Sequence, residues 1–302
     1  MKTTLFSVPQ AERYNALSLA RPIVVSLALF FVVVALRYTE VLVPGLNALP
    51  DKSIVSKVLG FIFVLGYLRM LRKPMSSIGL HSRNFDKAFL IGGLSLIILY
   101  AALYGVQFYR LSLAGETPRL VFGAINKETG VMGGLFFTSF YLFGQIVNAF
   151  MEEGIFRGVM LPRLMRRFSF WQANALQAFL FGLAHLVWPL SSWARGQATP
   201  EEAIAEATSL LIFTTVGGLV FGYLYYRTDS LWTAWFAHLI DNAIGLFFHI
   251  QIVSRLNAET DILMLASIGF ISLVLLAWIV AKRSQLPTLK PWATQEIQEP
   301  YP

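Results

Sequence analysis

The chain has 302 residues, of which 56% are hydrophobic and only 14% charged, where a soluble domain carries about 25% charge. With a clearly positive mean hydropathy, this excludes a soluble enzyme and points to an all-α polytopic membrane protein. The net charge of +7 does not indicate nucleic acid, because the basic residues sit at the ends of apolar runs; the absence of cysteine excludes disulfides, thiolate zinc sites and a cysteine nucleophile.

In chain order, Met1–Tyr14 is polar with no evident cleavable signal, and the first apolar run leads straight into a spanning segment. Eight runs are long enough to cross about 30 Å of hydrocarbon as helices. They are Leu17–Tyr38, Ile54–Leu71, Ala88–Phe108, Val131–Glu153, Phe170–Leu190, Ala207–Tyr226, Leu231–Val253 and Ile262–Ala281. The expected architecture is one transmembrane domain over residues 1–281, a bundle of about eight helices around an intramembrane polar cavity. Residues 282–302, polar and proline-interrupted, are expected to be a loose tail.

With the N-terminus in the cytoplasm, the inner loops and both ends collect 16 Lys and Arg, and the outer loops 8. That excess places both termini inside. In the outer loop after the fifth run, Thr199-Pro200-Glu201-Glu202 reads as a helix start: an N-cap, a proline at the first position, then acids in the first turn.

The polar residues that need explaining lie in the fourth, fifth and seventh runs. Glu152, Glu153 and Arg157 follow the uncharged stretch 131–151, where ionisable groups are expensive and tend to mark function. Glu153 and Arg157 are four apart and can pair, leaving Glu152, about 100° round the helix, for chemistry. Phe181 and His185 share one helical face, as do His238 and Asn242. Glu152 and His185 each lie 16 residues from the hairpin turn at Phe168–Ser169, hence at one depth. With His238 eight residues past Ser230, the expected site sits about a third of the way in from the cytoplasmic face. Amide hydrolysis needs a water activated by a base, and donors for the developing oxyanion. A carboxylate in a partly dry site with a histidine beside it supplies the first, and His238 and Asn242 the second.

Other polar residues have plainer readings. His249 is read as packing, His81 as a loop residue, and Arg163, Arg166 and Arg167 as a topology anchor. Gly154-x-x-x-Gly158 and Gly218-x-x-x-Gly222 form small-residue ridges for close helix approach.

Taken together, Glu152-Glu153-x-x-x-Arg157, Phe181-x-x-x-His185 and His238-x-x-x-Asn242, in this order on hydrophobic helices, resemble the motifs of the CAAX protease and bacteriocin-processing family. These are intramembrane glutamate proteases that include the eukaryotic Ras-converting CAAX endopeptidases. The motif core, 131–253, covers about 40% of the chain. The resemblance implies an eight-helix layout and an endopeptidase acting near the cytoplasmic side of the membrane. Glu152 and His185 would activate water, and His238 and Asn242 would hold the oxyanion. Glu153, Arg157 and Phe181 would support them, with no metal or other cofactor. Asp241 receives no role. The implied partners are a peptide or protein substrate, prenylated or membrane-anchored ones included, and the bilayer, but no nucleic acid. The expected location is a multi-pass one in a prokaryotic cytoplasmic membrane. The rival readings are a zinc metalloprotease using Glu152, His185 and His238, a catalytically idle scaffold or immunity protein, and a proton-coupled transporter.

Overall fold

A computed structural model describes residues 8–42, 53–125, 131–252, 255–256 and 262–292. The start of the polar N-terminal stretch and the tail beyond 292 lie outside the described residues. The first apolar run is split: Leu17–Ala20 ends a separate helix, α1 (Val8–Ala20), and the rest spans as α2 (Pro22–Leu42). Pro22 takes the first position of α2, where its missing N–H breaks no intrahelical bond. Next come α3 (Ile54–Met70) and α4 (Phe85–Leu113), the latter with a π-helical turn at Leu90–Leu94. In that turn Gly92 lies directly against the Thr233 carbonyl, an approach no side chain would permit.

The fourth run forms α5 (Leu135–Glu152), which continues through a π-helical segment, Glu153–Met160, into a last turn, Leu161–Leu164. Every residue from Met151 to Leu164 is buried, so this end of α5 is the axis of the bundle. The remaining helices are α6 (Phe170–Leu183), α7 (Val187–Ala194), α8 (Pro200–Thr228), α9 (Leu231–Phe247) and α10 (Ile262–Arg283). Pro22–Thr39, Phe85–Leu113, Phe170–Ala194 and Pro200–Thr228 are long and apolar enough to cross a membrane by length and composition.

Three of the boundaries that differ from the expected spans shape the site. The fifth run is interrupted after Leu183, where the His185 amide bonds the Gly182 carbonyl in a tighter turn. The sixth begins seven residues early, at Pro200, under a capping box in which Thr199 and Glu202 bond each other's backbone amides. The local start signal thus sets this boundary, not the edge of the apolar run. The seventh ends at Phe247, and its last residues become a strand. There β1 (Arg119–Phe122), β2 (Phe248–Ile252) and β3 (Arg255–Leu256) form a small antiparallel sheet in that order. His249, in β2, shares a hydrogen bond with the Gly123 carbonyl at 3.0 Å and is packing.

Both glycine ridges lie at close helix approaches. Gly154 faces Val64 and Gly158 faces Ile78, while Gly218 meets Ala178 and Gly222 lies against the Asn174 carboxamide. Across the α6–α8 contact, Asn174 donates to the Leu219 carbonyl at 2.9 Å and Gln177 to that of Gly218 at 3.0 Å. The segment after α10, expected loose, is held down as far as it is described. The Leu289 amide bonds Tyr226 O at 2.9 Å, and the Trp292 indole bonds Ser77 O at 3.1 Å. Arg163, read as a topology anchor, is buried with its guanidinium over the Trp292 ring at 4.1 Å. The C-terminal segment therefore closes the end of the bundle that carries the basic loops.

Candidate active site

The motif residues meet where α5, α6, α8 and α9 converge. Glu152, Glu153 and Arg157 are at most 1% exposed and His238 5%. The i,i+4 pair forms as the spacing requires, with Arg157 Nη1 3.1 Å from Glu153 Oε1. The π-helical segment starts at Glu153, so both members sit on a widened turn; π segments recur at functional sites. The Arg157 guanidinium lies over the Phe181 ring at 4.2 Å, a second contact that offsets its burial.

His238 ties the two glutamates together. Its Nδ1 is 2.7 Å from Glu153 Oε1, and its Nε2 is 3.3 Å from Glu152 Oε2. Phe221 stacks on this ring at 5.1 Å, fixing its plane. His185 lies just beyond the end of α6, its ring edge-on to Phe181 at 4.6 Å. Its Nδ1 is 2.7 Å from the Phe181 carbonyl, which can only accept, so Nδ1 carries the proton. In the neutral ring Nε2 is then an acceptor. Asn242 donates to Gln145 at 3.4 Å.

Glu152, His185, His238, Asn242 and Asp241 all line one cavity of about 430 Å³. Asp241 accepts a hydrogen bond from the Tyr100 hydroxyl. Among the described residues, no set of three His, Cys, Asp or Glu is arranged to hold a metal ion. The cavity is not a narrow slot: it reaches from Glu152 to Ser53 at the N-terminus of α3 and to Tyr104, Tyr141 and Gly245. Those residues belong to the end of the bundle away from the basic loops. His238 itself lies seven residues into α9 from the basic end, roughly 10 Å at 1.5 Å per residue.

Sequence reasoning missed three residues of the site. Arg37, counted as an outer-loop charge, is 2% exposed, and its Nη2 donates to Glu152 Oε1. Its guanidinium also stacks over Trp188 at 4.3 Å. Lys57, likewise counted outside, is buried at the cavity wall 5.8 Å from the Tyr141 ring. Tyr100 bonds Asp241 from α4. A lone arginine near the end of an apolar run looks like any interfacial anchor, so its partner was the missing signal. Without the buried Arg37, Lys57, Arg157 and Arg163 the basic count is 14 to 6.

Residues 134–244 match the family model of the Type II CAAX prenyl endopeptidase Rce1-like proteins. The chain is also 24% identical over 221 residues to a Bacillus subtilis (strain 168) protein described as "Putative membrane peptidase YdiL", covering 72% of this chain and 79% of the relative. No solved structure matches the chain. The matched segment contains all three motifs, from Glu152 through His185 to Asn242, and both similarities support the resemblance of this chain to the CAAX protease and bacteriocin-processing family of membrane peptidases.

Proposed function

We propose that the protein is an intramembrane endopeptidase that hydrolyses a peptide bond with water activated by Glu152 and His185. The observation that carries this reading is the shared cavity. Both Glu152 and His185 line it, and it has room for an extended peptide segment and a water. Water attacks the carbonyl carbon and gives its proton to Glu152, while the C=O electron pair moves to oxygen. Asn242 and the Nε2 edge of His238 serve the oxyanion. Collapse expels the amine, which takes the proton back from the Glu152–His185 pair. Glu153 and Arg157 hold His238 in place. No metal is required in this scheme: Glu152 is already neutralised by the fixed cation Arg37, which repels a second cation at the same carboxylate. The substrates of this site are peptides or membrane-anchored protein tails, prenylated ones included.

The test is cleavage of a peptide library by the purified protein in detergent, followed by mass spectrometry. Cleavage is expected to persist in excess chelator. Loss with chelator and recovery with zinc would transfer the reading to a metalloprotease, and no cleavage of any peptide would support an idle scaffold.

The basic count places both termini in the cytoplasm, and the cavity then opens toward the outer face. The chain has no cysteine, so single cysteines report access cleanly. Gly245→Cys, at an exposed position with free space around its α-carbon, is expected to react with a membrane-impermeant maleimide in intact cells. Ser82→Cys, in the basic loop before α4, is expected to react only after permeabilisation. The reverse pattern would invert the topology.

A further inference from the structure

Arg37 is a buried charge that the scheme above leaves without a chemical task. Its Nη2 is used on Glu152, while Nε and Nη1 have no hydrogen-bond partner although both are buried. An unpaired buried donor is costly, more so on a charged group. The guanidinium face is taken by Trp188 at 4.3 Å, which fixes its plane and leaves Nη1, beside Nη2, for a ligand. Arg37 lines the cavity beside Glu152 and His185. His238 offers the oxyanion only its Nε2 edge, which it shares with Glu152 Oε2 at 3.3 Å, because Nδ1 faces Glu153 at 2.7 Å.

We propose that Arg37 is a catalytic residue, whose free Nη1, beside the Nη2 that holds Glu152, binds the scissile carbonyl oxygen and stabilises the oxyanion formed on it. As water adds to the carbonyl carbon, one proton passes to Glu152 and the carbonyl electron pair becomes the oxygen charge facing Arg37. When that charge returns to reform the C=O, the C–N bond breaks and the amine leaves with a proton. One guanidinium thereby holds the base through Nη2 and the electrophile through the adjacent Nη1, setting the two at a fixed separation. Lysine cannot do both, because it is a point charge without a planar fork. The ring of Trp188 is a positioning group in this arrangement.

This inference rests on the peptidase reading, and the experiment separates the two. Arg37→Lys, Arg37→Gln and wild type are compared on one cleaved peptide, with thermal stability recorded for each. Arg37→Lys keeps the positive charge beside Glu152 and guards against loss of fold. Both variants are expected to lose about 10²–10³-fold in kcat with KM little changed, the usual cost of an oxyanion donor. The loss should not be recovered at higher pH, and added guanidinium should restore part of the activity of an Arg37→Gly variant. Near-normal kcat in Arg37→Lys, or recovery of Arg37→Gln at high pH, would overturn the proposal and reduce Arg37 to a counter-charge for Glu152. A wild-type protein with no peptidase activity would overturn both readings.

Discussion

Glu152→Gln is expected to fold and to lose about 10²–10⁴-fold in kcat, the contribution typical of a positioned general base. The substitution keeps the shape of the side chain and its Oε1 as an acceptor for Arg37, so the cavity is not emptied. What it removes is the second oxygen as a proton acceptor. Oε2 is buried without a hydrogen-bond partner, 3.3 Å from His238 Nε2, which makes it the oxygen that a bound water would satisfy. Steady-state kinetics on purified protein, with melting temperature measured alongside, checks this. Activity within tenfold of wild type would show that the proton goes elsewhere, His185 being the first alternative.

Glu153→Gln is expected to act on stability first. Glu153 and Arg157 are both 0% exposed, and the glutamate also anchors His238 Nδ1 at 2.7 Å. Removing its charge leaves a buried guanidinium whose Nε and Nη2 already lack hydrogen-bond partners. Breaking one side of such a pair costs about 3–5 kcal/mol, whereas replacing both partners with apolar residues of similar volume is often tolerated. The expected outcome is a marked fall in melting temperature and yield for Glu153→Gln, with Glu153→Leu/Arg157→Leu more stable than the single variant. A Glu153→Gln protein as stable as wild type yet inactive would exchange the roles given to the two glutamates.

The parts of the site legible in the sequence are those with helical spacing. Four-residue intervals on an apolar helix require Glu153 to meet Arg157 and Phe181 to meet His185, and both contacts form. The α8 start was legible because capping chemistry is local. Hydropathy alone could not show that α9 stops at Phe247, because Phe248–Ile252 is equally apolar, and what turns it into a strand is its partner, residues 119–122, more than a hundred positions earlier. The π-helical segment has no distinct composition either. Its widened turn follows from packing the fully buried 153–160 stretch among Val64, Ile78 and α9. Arg37 and Tyr100 were out of reach for the same reason: their partners, Glu152 and Asp241, are 115 and 141 residues away.

The central claim is that Glu152 acts through water and not as a nucleophile. A single-turnover reaction in ¹⁸O-water tests it, with enzyme in excess over a cleaved peptide and the product read by mass spectrometry. Direct attack by an activated water places one ¹⁸O in the new carboxylate during the first turnover and leaves Glu152 unlabelled. Attack by Glu152 itself would form a mixed anhydride; its opening at the glutamate carbonyl would give first-turnover product without label and deposit ¹⁸O in the glutamate, and its opening at the substrate carbonyl would be caught as a hydroxamate when hydroxylamine is added, either of which would contradict the account.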